Sequence, residues 1–478
     1  MILCVLCGFH FSALSASRPL KEYFAVDAPH PFLYLALTMS SQPATAPRHR
    51  ELQHIALAPF VAVLYAYCAG GPFGFEAMVS TSGPGLCLIF ILVVPLLFSV
   101  PIALATAEMA TAMPVEGGFY RWTRAAFGDF WGFHCGWWNW TGTFFMSAAY
   151  GVLMADYIGE LRPLTGGEHW MIAFAFLALV GYLNIRGIRL VGNLTLALLL
   201  LALVPVAIFT AQGFAQARFN PFYPLLATNK PWRETFGVGL ALALWIYSGY
   251  EQLSTVSEEI EQPERNFPRG LAIVVPLAVI TFFLPLAAGL AALGNWQAWN
   301  TGYIVQAARQ ISGPRLEMAM FAAAAVCTFV LLESTVLAAT RLPFAMAEDG
   351  YFHPALARLH PRLGTPARAI VVSVVICAAL AVFSVTQLIA IYAWLRVATS
   401  VMTLLSLWRL RRIAPELPRR FAVPGGRFGL ATVVLLPILF FAWALINSDP
   451  QSRLWGPLCL VLGPFAYLFI SRRKLTGR

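Results

Sequence analysis

The stretch "YAYCAGGPFGFEAM" at residues 65–78 places three glycines, a proline and the carboxylate of Glu76 inside an apolar segment of membrane-spanning length. Glycine and proline weaken a helix, and a charge at the bilayer centre costs about 3 kcal/mol on insertion scales. One continuous helix is therefore not expected here. The stretch predicts a helix break inside the membrane, which is tolerated where the exposed backbone lines a cavity.

The composition indicates a polytopic membrane protein. Hydrophobic residues make up 59% of the chain and charged residues 11%, whereas about a quarter of a soluble domain is charged. The net charge of +10 does not indicate a nucleic-acid partner, because the basic residues lie between apolar segments and not on one domain. Basic residues in that arrangement orient membrane spans.

The predicted fold is an all-α membrane protein with about twelve transmembrane helices, each needing about 20 apolar residues. Lysine and arginine are about three times as frequent in one set of alternating loops as in the other. This bias predicts that both termini lie in the cytoplasm. The predicted location is the plasma membrane. The predicted spans are 55–79, 85–112, 130–158, 169–185, 190–212, 236–259, 270–294, 317–341, 367–384, 387–408, 429–447 and 454–471.

Residues 1–54 are predicted to form an N-terminal tail, and the polar, basic stretch that begins at Met39 is the more natural start of the protein. Cys4 and Cys7 form a CxxC pair. A second pair that would complete a metal site is missing from the sequence. Neither a metal nor a cofactor is predicted.

A second break is predicted in "GLALALWIYSGYEQLSTVSEEI" at residues 239–260, where Ser248 and Gly249 interrupt the sixth span. Two interrupted spans five apart predict an inverted repeat of five helices plus five. The repeats would be residues 55–213 and 214–408, followed by two spans and a cytoplasmic tail at 409–478. The alternative is that the glycines of the first span only allow close helix packing.

Several motifs in order give the chain a resemblance to a known family. They are "GGPFG", "TAEMATAMPVEGGFYRW" from Thr106, "YSGYEQLSTVSEEIEQPERNFPRG" from Tyr247, "TRLPFAMAEDGYFHPALARLHPRLGTP" from Thr340 and "RRFAVPGG" from Arg419. Over about residues 55–430 the chain resembles the amino acid, polyamine and organocation (APC) permeases. The resemblance implies a LeuT-like fold, with helices one and six broken around a central site.

Within that family the chain is most similar to the polyamine uptake branch, through "GGPFGFE", "AEM", "VLMADYI" and "LNIRGIRLVG". Typical amino acid carriers have a small residue with its N–H between the glycines of helix one, and this chain has Pro72. Proline removes a donor that would bind a substrate carboxylate. The expected function is proton-coupled uptake of a cationic amine, an amino acid or a polyamine, by alternating access. A neutral amino acid permease or exchanger and a non-transporting nutrient sensor are the alternatives.

The predicted site residues surround the two breaks. Glu76 and Glu251 are expected to face one another across the cavity and to bind ammonium groups; the alternatives are an acid near the outer mouth and an internal hydrogen bond, respectively. The predicted substrate-binding residues are Gly70, Gly71, Glu76, Tyr247, Ser248, Gly249 and Glu251. The candidates for proton coupling or amine contact are Asp156, Glu333, Tyr65 and Tyr67.

Other charged residues are predicted to be structural or are left open. Glu108 is expected at a structural corner, and the acidic run that includes Glu259 and Glu264 is expected to form a solvated loop with nearby arginines. Arg396, inside the tenth span, either pairs with a buried acid or reaches an interface. The fifth span lacks the lysine that some proton-linked relatives carry, which leaves the coupling ion open.

Other functional classes lack their sequence signatures. The sequence contains neither GxSxG nor HExxH, so it is not predicted to be an enzyme and no catalytic residue is assigned. A repeated filter or charge ring typical of a channel is also missing. The expected partners are a small-molecule substrate, protons and the lipid bilayer, with no obligate protein partner.

Overall fold

The computed structural model describes residues 53–159, 163–227, 231–383, 385–446 and 450–475. Most of the predicted tail, including Met39 and the CxxC pair, lies outside these residues. Secondary structure in the described part is helical, apart from one isolated bridge between Ile55 and Ile260. This agrees with the predicted all-α class.

The described α-helices follow one another with short connections. Pro95–Ser99 forms a π-helical turn within the third of them. The helices are α1 Leu57–Cys68, α2 Ala77–Ser82, α3 Pro84–Ala112, α4 Phe119–Phe127, α5 Asp129–Gly159, α6 Gly166–Arg186, α7 Ile188–Ala215, α8 Trp232–Ile246, α9 Pro263–Leu293, α10 Tyr303–Ser312, α11 Pro314–Glu348, α12 Ala367–Leu380, α13 Val385–Ile413, α14 Gly426–Ile446 and α15 Pro450–Leu475.

Within the described residues, eight helices are long and apolar enough to cross a membrane. Three shorter apolar helices add to them: α1, most of α8, and α12. The chain is therefore an integral membrane protein with several apolar helices. The number twelve and the five-plus-five repeat stay predictions.

Both predicted breaks are present in the structure. Helix α1 ends at Cys68, and the next helical residue is Ala77. Helix α8 ends at Ile246, and residues Gln252–Glu259 continue as a 3₁₀ helix. Glycine permits the second break because Gly249 has a φ of +122°, which side chains with a Cβ rarely adopt.

The two breaks lie against each other. A Cβ atom added at Gly249 would lie 2.8 Å from Cδ1 of Tyr67, in the last turn of α1. Helices α5, α11 and α13 pack around this junction, because residues of all three line the same cavity as Tyr67 and Ser248. Helix α5 also contacts both of the other two extensively. The interrupted segments of the two broken helices are thus packed among continuous helices.

Two ion pairs connect segments that are distant in sequence. Arg341 of α11 donates to both carboxylate oxygens of Glu259, at 2.7 and 3.1 Å, and both side chains are buried. The prediction of a solvated acidic run is therefore wrong for Glu259, because the 3₁₀ helix turns this side chain inward. Glu264 contacts Arg420 at 2.9 Å.

Glu108 also holds a structural position, as predicted. Its carboxylate accepts hydrogen bonds from Arg411 and from the backbone N–H of Val423, and it lies 3.1 Å from Nε of Arg419. These contacts fasten the end of α3 to the segment between α13 and α14.

Candidate functional site

A cavity of about 50 Å³ lies between the two helix breaks. Its wall is formed by the end of α1, by Trp245, Ile246 and Ser248, and by helices α5, α9, α11 and α13. This volume accommodates a few water molecules. The structure thus shows a small cavity at the place where the sequence predicted a central site.

Aromatic side chains form much of this wall. Tyr67, Tyr150 and Tyr392 come from α1, α5 and α13, and Trp245 and Phe282 complete the aromatic surface. Ring faces attract cations by about 0.5 to 2 kcal/mol, depending on how dry the contact is. The wall can therefore hold an ammonium group and also pack against a methylene chain.

Only one of the three tyrosines singled out from the sequence lines this cavity. Tyr67 does so, whereas the Tyr65 hydroxyl donates to Oγ1 of Thr281 at 2.8 Å. The Tyr247 hydroxyl donates to the Ile91 carbonyl at 2.9 Å, on α3. Sequence reasoning missed Tyr150 and Tyr392, which are distant in sequence and carry no local motif.

The predicted glycines and Ser248 position the backbone around the cavity. Gly70 and Gly71 bring the break into contact with α11, where added Cβ atoms would overlap Leu331 and approach Sγ of Cys327, the latter to 2.6 Å. Ser248 lines the cavity, and its hydroxyl donates to the Trp245 carbonyl at 2.9 Å. The close approach of chain to helix explains why glycine is needed here.

Glu251 forms a buried ion pair behind the aromatic wall. Its Oε1 lies 3.1 Å from Nη2 of Arg396 and accepts a hydrogen bond from the Ser400 hydroxyl at 2.5 Å. The side chains of Glu251 and Arg396 are 1% and 4% exposed. Of the two alternatives for Arg396, pairing with a buried acid is therefore confirmed.

The next residue in the chain, Gln252, connects to the cavity wall through Tyr67. Oε1 of Gln252 accepts hydrogen bonds from Asn139 Nδ2 at 2.8 Å and from the Tyr67 hydroxyl at 3.3 Å. The Tyr392 hydroxyl is in turn hydrogen-bonded to Tyr67 and interacts with Arg396. We call the set Asn139, Glu251, Gln252, Arg396 and Ser400 the polar layer.

Several atoms of the polar layer are buried without a hydrogen-bond partner among the described residues. They include acceptors, Glu251 Oε2 and Asn139 Oδ1, and donors, Gln252 Nε2 together with Nε and Nη1 of Arg396. Buried polar atoms in proteins are nearly always satisfied, and each unsatisfied one costs about 1 to 3 kcal/mol. Such atoms need a partner, which can be a water molecule or a bound polar ligand.

Glu76 has different surroundings from Glu251. It is 1% exposed, and its Oε2 accepts the backbone N–H of Gly74 at 2.9 Å, within the first break itself. It does not belong to the cavity wall. The structure gives the two carboxylates separate partners and does not bring them together on one cavity.

The two remaining predicted acids also lie away from the cavity wall. Asp156, near the end of α5, is half-exposed and contacts Nε2 of His169 at 2.7 Å. Glu333 is fully buried in α11, where its Oε2 accepts a hydrogen bond from the Thr195 hydroxyl of α7 at 3.2 Å.

A family model described as amino acid permease matches residues 60–462 of this chain. The chain belongs to the amino acid permease family. The resemblance predicted from the motifs is thereby confirmed. Because members of this family are transporters, the prediction that the permease is not an enzyme is confirmed as well.

Similar curated proteins include transporters of two kinds. A probable polyamine transporter of Arabidopsis thaliana is 29% identical over 442 residues, which cover 91% of the permease and 90% of the relative. A polyamine transporter of Oryza sativa subsp. japonica is 27% identical and covers 90% and 81%. A branched-chain amino acid permease of Lactococcus lactis is 26% identical and covers 82% and 88%.

A solved structure has a similar fold. The crystal structure of MhsT in complex with L-phenylalanine superposes with a TM-score of 0.58 at 15% identity, covering 84% of the permease and all of that chain. At this identity the likeness concerns the fold alone.

Proposed function

We propose that the permease is a secondary transporter that takes up a cationic amine, with polyamines as its substrate class. It would act in the plasma membrane with both termini in the cytoplasm. Residues 55–213 and 214–408 would form two inverted repeats within about twelve spans, followed by residues 409–478. The observation that carries this proposal is the aromatic cavity enclosed between two helix breaks, with the polar layer behind it.

The chemistry of the cavity suits an amine. The ring faces of Tyr67, Tyr150 and Tyr392 supply cation–π attraction for an ammonium group. The same rings offer apolar surface against which methylene groups can pack. The carboxylate of Glu251 lies just behind this wall. In a dry site a carboxylate and an ammonium group form a strong charge-assisted hydrogen bond.

The first break has few backbone donors left for a carboxylate. The N–H groups of Ala69 and Gly70 both donate to the Tyr65 carbonyl, and that of Phe73 donates to the Gly71 carbonyl. The N–H of Gly74 is taken by Glu76, and Pro72 has none. This favours a substrate without a carboxylate, and polyamines are such substrates.

Uptake of an amino acid is the second candidate, and one observation favours it. The Arg396 guanidinium has two donors, Nε and Nη1, without an acceptor among the described residues. A guanidinium binds a carboxylate well. In this alternative the ammonium of an amino acid would contact the aromatic wall while its carboxylate would contact Arg396.

The transport step would be alternating access around this cavity. In its present size the cavity is too small for a diamine, so the helices must part to admit substrate. Rocking of the bundle that contains both broken helices against the surrounding helices would open the site to each side in turn. Protons are the proposed coupling ions.

The test is uptake of labelled putrescine and labelled arginine into proteoliposomes, with and without an inward proton gradient. Gradient-driven putrescine uptake that arginine barely inhibits supports the proposal. A preference for amino acids supports the second candidate, and saturable uptake of either compound argues against a non-transporting sensor. The variant Tyr392→Leu should raise the half-saturating putrescine concentration about tenfold, since it removes about 1.4 kcal/mol of attraction.

The matched control is Tyr182→Leu. Tyr182 lies on α6 and is 54% exposed, so the same substitution there leaves the cavity wall intact. Equal effects of the two substitutions would contradict a binding role for the aromatic wall.

A further inference from the structure

Glu333 lies on the opposite side of α11 from the cavity. Leu331 and Thr335, one turn of helix apart, line the cavity, and Glu333 between them does not. Its carboxyl group points to α7, where it meets the Thr195 hydroxyl at 3.2 Å. Its other oxygen, Oε1, has no hydrogen-bond partner among the described residues.

A third helix completes this cluster. Asn184 of α6 donates from Nδ2 to the Val180 carbonyl at 3.0 Å and to the backbone carbonyl of Glu333 at 3.5 Å. Its Oδ1 is buried and, in the described part of the chain, unpartnered. Asn184, Thr195 and Glu333 are each 0% exposed. Two unused acceptor oxygens therefore occupy a dry junction of three helices.

An ionised carboxylate in this position would lack a cation. The carboxyl group is buried and accepts a hydrogen bond from the Thr195 hydroxyl. No charged side chain of the described residues interacts with it. Charged groups of the helices packed around it have partners elsewhere: Asp156 with His169, Arg186 with Tyr182, Arg189 with the His54 carbonyl, Arg309 with Glu317, and Arg341 with Glu259. An unpaired buried charge costs several kcal/mol.

A proton fits this junction better than a metal cation does. Hard metal cations take about six oxygen ligands, whereas the side chains of the cluster supply one carboxyl, one amide and one hydroxyl oxygen. A proton on the Glu333 carboxyl neutralises the charge and turns one of its two oxygens into a hydrogen-bond donor.

We propose that Glu333 binds the proton that is co-transported with the substrate, at a site separate from the substrate cavity. This inference rests on the proposed transport function. The carboxyl group takes a proton from the outside with the substrate and releases the same proton to the cytoplasm when α7 and α11 part. Because Leu331 and Thr335 belong to the same turn of α11, the protonation state of Glu333 acts on the cavity wall without contact between Glu333 and substrate.

The experiment compares Glu333→Gln with Glu317→Gln in proteoliposomes. Glu317 is on the same helix but forms a surface contact with Arg309 at 3.5 Å, so the same chemical change there leaves the cluster intact. Two rates are measured: putrescine counterflow without a gradient, and putrescine accumulation with an inward proton gradient. A pH-sensitive dye inside the vesicles follows proton entry.

Wild type and Glu317→Gln are expected to show counterflow, accumulation and substrate-dependent proton entry. Glu333→Gln, which mimics the protonated state, is expected to lose gradient stimulation and proton entry, while counterflow remains measurable. Gradient stimulation in Glu333→Gln, or loss of its counterflow in folded protein, would overturn the proposal. Wild-type protein that shows counterflow without any response to the gradient would also overturn the proposal. Wild-type protein without counterflow would instead refute the proposed transport function.

A milder variant keeps the proposal testable if Glu333→Gln does not fold. Thr195→Val removes the one hydroxyl that donates to the ionised carboxylate, at similar volume. The pH of half-maximal accumulation should then move upward relative to wild type, because the ionised form alone loses a donor. An unchanged pH profile in Thr195→Val would contradict the proposal.

Discussion

Replacing Arg396 by methionine removes the cation that faces Glu251 inside the protein. Both side chains are almost fully buried, so the remaining carboxylate would keep only the Ser400 hydroxyl as a described partner. Removing one partner of such a pair costs about 3 to 5 kcal/mol, whereas removing both charges is often nearly neutral. The single variants Arg396→Met and Glu251→Gln should each destabilise the fold by that amount.

The double variant decides whether the pair acts as a unit. Independent effects would sum to about 6 to 10 kcal/mol. We expect the double variant Glu251→Gln/Arg396→Met to be more stable than either single variant. Apparent melting temperatures of the detergent-purified proteins, followed by tryptophan fluorescence, give the ranking. A double variant that melts at or below the less stable single variant would refute the reasoning.

Two further measurements tie the ion pair to binding. Ser400→Ala leaves the pair intact and serves as the control, with an expected loss of about 1 to 3 kcal/mol for the hydrogen bond. If a substrate amine reaches Glu251, it can replace the missing guanidinium in Arg396→Met. Putrescine should therefore raise the melting temperature of Arg396→Met more than that of Glu251→Gln.

Gly249→Ala should greatly lower uptake, because a Cβ at a φ of +122° would lie 2.8 Å from the Tyr67 ring. The control is Gly128→Ala, where φ is +86° and the space around the glycine is open. This variant should keep uptake near the wild-type rate in the same assay. Thr335→Trp should abolish putrescine uptake, since the larger side chain fills the cavity. The protein should still elute as a folded monodisperse species. Saturable uptake in this variant would show that substrate does not pass through the cavity. Burial and the neighbouring carboxylates of Glu259, Glu258 and Glu348 raise the pKa of Glu116, outside the spans, well above its ordinary value of 4.5. The folded state then holds a proton that the unfolded chain releases, so stability falls as the pH rises above 4.5, and Glu116→Gln should show a melting temperature that depends less on pH than that of wild type.

The breaks were predictable because their signal is local. Glycine and proline inside an apolar run of membrane length have few explanations, and the positive φ values of Gly71 and Gly249 show that the backbone uses them. The place of the cavity followed from the same signal, as did the contributions of Tyr67 and Ser248 to its wall.

The pairings across the site were not predictable, because tertiary packing alone decides them. Glu251 and Arg396 lie on segments that no short motif connects, and a single sequence holds no record of which buried acid meets which buried base. The same applies to Glu259 and Arg341. The acidic run around Glu259 is polar enough to suggest solvation, and only the 3₁₀ turn that carries it reveals that this side chain points inward.

Under the proposed mechanism, one turn of α11 would connect substrate recognition with proton coupling. Thr335 faces the cavity and Glu333 faces α7, so the two residues share a rigid backbone but no ligand. In the proposed mechanism, uncharged polar and aromatic groups would suffice in the wall, because the charge change that accompanies transport would take place behind it, at Glu333. A charge that changed inside the closed cavity would itself have to be desolvated in each cycle. In that mechanism both buried carboxylates would be neutralised when the cavity closes, Glu251 through its ion pair with Arg396 and Glu333 through its proton.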